Sequence, residues 1–157
     1  MTTSGFDRSA TCGTAQPNAS YGIFRSTIVP NAKLAGNVLT ALTLQSMGEV
    51  LALLRKGGVA PQVAFDVLTG SRFDGKVHKT YGGKIVDNHY SPPGMTTPLA
   101  IKDLRLALAE AEHLAVPMPA ASLVHDRLVA TIARGWAELD WSALGLLAAS
   151  DAGLPSQ

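Results

Sequence analysis

The sequence predicts an all-α fold, a bundle of about five to seven helices with one long, buried helix near the N-terminus. Three observations support this prediction. Apolar residues recur at intervals of three and four in several segments, which is the spacing of one face of a helix. Glycine, proline and helix-capping residues separate these segments. No segment alternates apolar and polar residues for long enough to predict a strand.

Composition narrows the classes of protein and of site. A chain of 157 residues fits one domain with its own core. Only 16% of residues are charged and 46% are hydrophobic, so we expect surface to be buried against another copy or domain. A net charge of +1 with scattered cations argues against a nucleic-acid partner. The single cysteine, Cys12, cannot build a disulfide framework and suits a reducing cytosol, and the four histidines lack metal-ligand spacing.

The N-terminal part divides into a loose head and a long helix. Residues 1–30 are rich in small polar residues and are predicted to be mostly disordered, with Tyr21–Val29 extended. The first helix is predicted from about Asn31 to Lys56, because cations favour its C-terminal end and Gly57–Gly58 can terminate it.

The same long helix has to be weighed as a membrane span. Residues Leu34–Leu54 are long and apolar enough to suggest one. The segment nevertheless carries six polar or charged positions, which favour a buried helix in a soluble, cytoplasmic protein: Asn37, Thr40, Thr43, Gln45, Ser46 and Glu49. Residues Met1–Asn18 lack the pattern of a signal peptide.

The rest of the helical body, predicted to extend over residues 31–150, follows from local signals. Pro61 opens a short helix that ends before Gly70, and the glycine-containing segment Ser71–Asn88 predicts a broken helix or a helix and a turn. The other predicted elements are a loop at Ser91–Gly94, a helix with Thr97 as N-cap and Pro98 in its first turn, a helix over Ala120–Arg134, a last helix from Asp140 to about Ala149, and a tail over 151–157.

Lys33 and Asn37 form the first candidate site. They stand four residues apart on one face of the long helix, at the start of its uncharged run. A partly desolvated lysine beside an amide can exchange a proton with a carbonyl or hydroxyl group. The simpler interpretations stay open: a solvated lysine in a first helical turn, and a core amide that caps a neighbouring helix.

Lys102 is the second candidate. It lies in the first turns of a predicted helix, where a cation opposes the helix dipole while Asp103 suits it. That position hints at an anionic or electron-rich neighbour, although an exposed lysine with no function would cost little there.

Four motifs then occur in order: Lys33-Leu-Ala-Gly-Asn37, Gly48 to Gly57, Ile101-Lys-Asp-Leu-Arg-Leu-Ala107, and Gly135 to Leu144 with its Asp-Trp-Ser-Ala-Leu ending. Together they resemble the C-terminal helical domain of the β-hydroxyacid dehydrogenases, the 3-hydroxyisobutyrate dehydrogenase family, whose fold is that of the 6-phosphogluconate dehydrogenase C-terminal domain. The likeness covers about Asn31 to Leu147.

The resemblance implies roles for these residues. Lys33 would be the catalytic acid/base, Asn37 a substrate-binding residue and Lys102 a residue near the cofactor, with Asp103 orienting its turn. The implied reaction is oxidation of a small 3-hydroxy acid, or reduction of its semialdehyde, with NAD or NADP. The resemblance also implies a homo-oligomer, expected to be a dimer, that associates through the long helix.

Members of that family also carry a Rossmann domain with a glycine-rich nucleotide loop, and this sequence contains no such motif. We therefore expect a fragment, a truncated product or one half of a split enzyme, which cannot turn over substrate without a separate Rossmann domain. Hydride transfer by the purified chain would contradict this expectation. Two alternatives are a non-catalytic helical dimerisation module and a member of the imine-reductase branch, although Lys33 disfavours the latter.

Overall fold

The structure, a computed structural model, describes the backbone of residues 19–155 and the side chains of residues 32–155. Within that range the chain is helical and has no strand, which confirms the all-α prediction. The helices are α1 (Ala19–Lys56), α2 (Pro61–Thr69), α3 (Lys76–Val86), α4 (Thr97–His113), α5 (Pro119–Ala133) and α6 (Leu144–Asp151), and a short 3₁₀ helix, Trp141–Ala143, leads into α6.

Helix α1 is the central element of the bundle. Its middle contributes Val38, Ala41 and Leu44 to a core shared with α4, α5 and the 3₁₀ helix. Its second half contributes Met47 and Leu51 to a second core against α2 and α3. By length and composition alone α1 could cross a membrane, but these buried residues pack inside the bundle, as in a core helix.

The predicted start of α1 is wrong. The sequence predicts a start near Asn31 and an extended Tyr21–Val29, but the helix begins at Ala19 and includes Pro30. A proline has a backbone φ compatible with a helix and removes only one backbone donor, so it does not have to end the helix. The part of the predicted disordered head that covers residues 1–18 lies outside the described residues.

The end of α1 agrees with its prediction. Gly58 adopts a φ of +86°, and the N–H of Val59 donates to the carbonyl of Leu54 at 3.0 Å, which closes the helix with a left-handed cap. Lys56 donates to the carbonyl of Ala152 at 2.6 Å. The start of the predicted tail is thereby fixed to the end of the longest helix.

The N-cap of α4 is shifted by one residue from its prediction. Thr96, not Thr97, occupies the cap, and Pro98 lies in the first turn as expected. Thr97 is fully buried, and both its N–H and its hydroxyl donate to the carbonyl of Leu139. Because that contact comes from a loop distant in sequence, the local pattern could not show it.

The remaining helices lie close to their predicted positions. Helix α2 ends at Thr69 with Gly70 as its C-cap, and the ambiguous segment Ser71–Asn88 forms a turn followed by α3. Helix α5 begins at Pro119, one residue earlier than predicted. The predicted end of the body at residue 150 is one residue short, since Asp151 belongs to α6.

Asp140 caps the last helical segment, as predicted, and also connects it to the loop before α4. Its Oδ1 accepts hydrogen bonds from the N–H and the hydroxyl of Ser142, at 3.0 and 2.6 Å. Its Oδ2 accepts from Lys84 Nζ at 2.7 Å and from the N–H of Gly94 at 2.8 Å. The loop that precedes α4 is therefore fixed to α3 and to the 3₁₀ helix through one buried carboxylate.

The environment of Asp140 determines its ionisation. Burial alone would raise the pKa of this carboxyl, but the hydrogen bonds from Lys84, Ser142 and Gly94 outweigh burial and lower the pKa below its ordinary value. Asp140 is therefore held as a carboxylate in the folded chain.

Helices α1 and α6 touch backbone to backbone. A Cβ added at Gly48 would lie 2.8 Å from the Cα of Gly145, which is closer than packed atoms approach. A Cβ at Gly145 would in turn meet the side chain of Ile85 at 2.6 Å. The lack of a side chain at Gly48 therefore permits the close approach of α1 to α6, and that at Gly145 permits the close approach of α6 to α3.

Replacing Gly48 with alanine should lower the free energy of unfolding by about 1–3 kcal/mol, because the added methyl group has to push α6 away. The matched control is Gly36→Ala in the same helix, where no atom lies within 4 Å of the new Cβ in the described part of the chain. That control should raise the stability by about 0.5–1 kcal/mol, since alanine favours a helix. Urea denaturation followed by circular dichroism measures both, and equal effects would contradict the close contact.

Asp140→Asn should lower the free energy of unfolding at neutral pH by about 3–5 kcal/mol, because Lys84 would lose its buried counter-charge. A carboxyl with a depressed folded-state pKa stabilises the fold above its unfolded-state pKa, about pH 4. This contribution is lost as the pH falls through the lower folded-state value. Denaturation at a series of pH values should show a smaller acid-induced loss for the variant than for the wild type.

Asp87→Asn, at an exposed carboxyl at the end of α3, is the control for that experiment and should keep the wild-type acid response. A wild-type acid response in Asp140→Asn would show that another group determines the loss of stability.

Candidate functional site

The predicted site residues lie where α1 crosses α4. Lys33 and Asn37 occupy successive turns of α1, and Lys102 and Asp103 lie near the start of α4. The two helices run in opposite directions there, because Asn37 meets Asp103 while Leu34 lines a groove with Ala111, further along α4. The fold thus brings together two sequence motifs that are 66 residues apart.

A hydrogen bond connects the two helices at this point. Asn37 Nδ2 donates to Asp103 Oδ2 at 2.7 Å, and the Asp103 side chain is buried while Asn37 is half-buried. Short hydrogen bonds to a carboxylate are among the stronger ones in proteins. The contact therefore fixes the polar face of α1 against the start of α4.

Lys102 joins the same group. Its Nζ lies 3.1 Å from Asp103 Oδ1, and about half of its side chain is exposed, 50% against 8% for Asp103. One carboxylate therefore contacts both Asn37 and Lys102. The anionic neighbour that the position of Lys102 suggested is the adjacent residue, Asp103.

Lys33 is exposed, which agrees with the solvated lysine that the sequence analysis left open and not with partial desolvation within the bundle. It lies one turn before Asn37, and it forms no hydrogen bond or ion pair with any residue that the structure describes. The expected partial desolvation is therefore not supplied by residues 32–155. Any shelter of Lys33 has to come from residues outside that range or from another chain.

An apolar groove of about 230 Å³ lies beside this group, and its lining includes Val38, the residue that follows Asn37. Its lining comes from α1, from the second half of α4 and from the loop that follows: Leu34, Ala35, Val38, Ala107, Glu110, Ala111, Leu114, Val116 and Met118. Apart from the carboxylate of Glu110 its walls are apolar, so Glu110 is the only acid–base group among these lining residues.

The part of the chain that the structure describes does not support a metal site. No group of three histidine, cysteine, aspartate or glutamate residues there could hold an ion. The chemistry available at the crossing of α1 and α4 is that of two ammonium groups, one amide and one buried carboxylate.

Comparison with known proteins identifies the protein family in which these residues occur. Residues 30–147 match the family described as the NAD-binding domain of NADP-dependent 3-hydroxyisobutyrate dehydrogenase. The chain belongs to this family. The match includes all four residues at the crossing, Lys33, Asn37, Lys102 and Asp103, and confirms the resemblance found from the motifs.

Curated relatives are oxidoreductases. An uncharacterized oxidoreductase of Bacillus subtilis is 30% identical over 113 residues, which are 72% of this chain and 39% of that protein. The 2-hydroxy-3-oxopropionate reductase of Escherichia coli is 29% identical over 112 residues, 71% of this chain and 38% of that protein. The chain thus spans about two fifths of the length of these relatives.

Solved structures agree with the fold. The 3-hydroxyisobutyrate dehydrogenase of Mycobacterium tuberculosis, solved with L-serine, has a TM-score of 0.65 and 29% identity over 73% of this chain and 41% of its own. The Salmonella typhimurium 3-hydroxyisobutyrate dehydrogenase has a TM-score of 0.69 at 24% identity over 74% of this chain and 40% of its own, and supports the fold alone.

Sequence reasoning missed the contacts that hold the site together. The Lys84–Asp140 ion pair and the Asn37–Asp103 hydrogen bond join residues more than fifty positions apart. The only local signal was the cap pattern at Asp140, which identified one partner. Nothing in the sequence around Lys84 indicates its contact with Asp140. Nothing around Asn37 indicates its contact with Asp103.

Proposed function

We propose that this chain supplies the helical half of the active site of an NAD(P)-dependent oxidoreductase that acts on a small 3-hydroxy acid or its semialdehyde. The family match gives the class of protein, and the observation that carries the proposal is the contact of Asp103 with Asn37 and Lys102, at 2.7 and 3.1 Å. This contact brings the ammonium group of Lys102 to the amide of Asn37, which lies one turn from Lys33 on α1.

The proposed roles follow from the chemistry of each side chain. Lys33, in the neutral form, takes the proton of the substrate hydroxyl during oxidation, and its ammonium form returns a proton to the carbonyl oxygen during reduction. Lys102 supplies a positive charge that a substrate carboxylate or another anionic group can bind. Asn37 contributes an amide that can hydrogen-bond the substrate.

NAD or NADP, when bound, supplies the hydride acceptor or donor. The exposed ammonium group of Lys102 fits an anionic ligand, because Asp103 contacts it from the buried side and leaves the other side open. Residues 19–155 contain no strand, so the strand–turn–helix loop that holds nucleotide phosphates has to come from a nucleotide-binding domain outside this range. Closure of that domain over Lys33 would exclude water, which favours the neutral amine that accepts a proton.

A second candidate function is a non-catalytic module for self-association, as a dimer formed through α1. The observation that favours it is the exposed apolar face of this helix, on which Leu39, Val50 and Leu53 are 66%, 41% and 70% exposed. Apolar residues exposed along one face mark interaction surfaces. Titration with NAD and NADP separates the two functions, because a pure association module should not respond to either. A cytoplasmic location is part of both proposals.

Lys33→Met should lower kcat by about 10²–10⁴-fold in the assembly that turns over substrate, because a positioned acid–base group contributes an effect of that size. The readout is NAD(P)H absorbance with a panel of small 3-hydroxy acids. The control is Lys76→Met, which removes an exposed lysine at the start of α3 and should leave kcat unchanged. A kcat for Lys33→Met within twofold of the wild type would refute the assignment.

A further inference from the structure

The orientation of the Asn37 side chain is determined by its partner. A carboxylate only accepts hydrogen bonds, so the amide has to present its NH₂ group to Asp103. The distance of 2.7 Å between Asn37 Nδ2 and Asp103 Oδ2 agrees with this arrangement. The carbonyl oxygen of the amide, Oδ1, is then directed away from Asp103. Asn37 therefore has a defined acceptor that Asp103 does not use.

Asp103 itself is not available to a small ligand. Its side chain is 8% exposed, and its two oxygens contact Asn37 and Lys102 separately. Any influence of this carboxylate on a bound molecule thus passes through the two side chains that it orients. Among the residues that the structure describes, Asp103 is the only group within hydrogen-bond distance of both.

We propose that Asp103 is a positioning residue that fixes the Asn37 amide with its Oδ1 towards the ligand, so that the site prefers a molecule with a hydrogen-bond donor, a hydroxyl or ammonium group, next to its reacting carbon. The ammonium group of Lys102 serves the acceptor groups of the ligand, such as its carboxylate. The preference for a ligand rests on the proposed function, whereas the orientation of Asn37 does not.

The substitution Asp103→Asn removes the carboxylate that fixes the orientation of the Asn37 amide. Its side chain can accept or donate, so Asn37 could turn either group towards it, and Lys102 would lose its counter-charge. The site would then present either Oδ1 or NH₂ to the ligand. We expect Asp103→Asn to reduce discrimination between ligands that carry a donor and ligands that lack it.

The orientation is tested on the complete 157-residue chain by NMR. In the wild type, a scalar coupling should be detected across the hydrogen bond between Asn37 Nδ2 and Asp103 Cγ, together with a distinct shift of one Asn37 amide proton. Asp103→Asn should weaken both, because only part of the Asn37 amides would still donate to residue 103. Absence of the coupling in the wild type would overturn the proposal without recourse to any variant.

The chain offers a matched control. Asp66 on α2 likewise accepts a hydrogen bond from a side-chain amide, that of Gln62, at 2.8 Å, but both residues are exposed. Asp66→Asn should alter the signals of Gln62 and leave those of Asn37 unchanged. Movement of the Asn37 signals in this control would indicate a global change of the fold and would overturn the local interpretation.

The preference is tested in the assembly that turns over substrate. The ratio of kcat/KM for glycerate, which carries a hydroxyl at C2, to kcat/KM for 3-hydroxyisobutyrate, which carries a methyl there, should fall roughly 10-fold in Asp103→Asn. A merely structural role would lower both values and leave the ratio unchanged, which would overturn the specificity role. Failure of the proposed function would appear separately, as full activity of the Lys33 variant.

Discussion

The buried carboxylate of Asp140 is the constraint on which the geometry of the site depends. It joins α3, the loop before α4 and the 3₁₀ helix through four hydrogen bonds of 3.0 Å or less. The start of α4 follows directly from that loop, and Lys102 and Asp103 lie in its first two turns. A displaced loop would move α4 relative to α1, and Asn37 would then lose its partner. The hydrogen bonds of Asp140 have no role in the proposed chemistry. They nevertheless determine the distance between α1 and α4 at the residues that do.

Much of the fold could be predicted because its signals are local. Gly58 and Gly70 end helices, and Pro61, Pro98 and Pro119 lie in first turns, where the sequence pattern predicts them within a residue or two. The start of α1 could not be predicted by the same logic. Pro30 resembles a boundary, and whether a helix continues through a proline depends on packing that the local pattern does not contain.

The candidate site likewise has features that local sequence signals predict and features that depend on distant contacts. Lys33, Asn37 and Lys102 could be selected from motif and spacing, and the fold places them around one crossing of helices. Their mutual arrangement could not be predicted, since it depends on the bond from Asn37 to Asp103 across 66 residues. The sequence could not decide between a solvated and a partly desolvated Lys33, because an apolar helix suggests burial on all sides, whereas the bundle covers only part of this one.

Gly36 has a consequence for how the site could be closed. It lies in the interior of α1 between Lys33 and Asn37, and no atom of the described residues lies within 4 Å of a Cβ built there. A glycine here weakens the helix without relieving any crowding inside the bundle. It does leave the main chain of α1 uncovered at the point where the surface of a closing domain would have to pack. The uncovered main chain beside Lys33 and Asn37 can therefore accept another backbone at close range. A single methyl group at position 36 would be enough to keep that backbone away from the amine of Lys33.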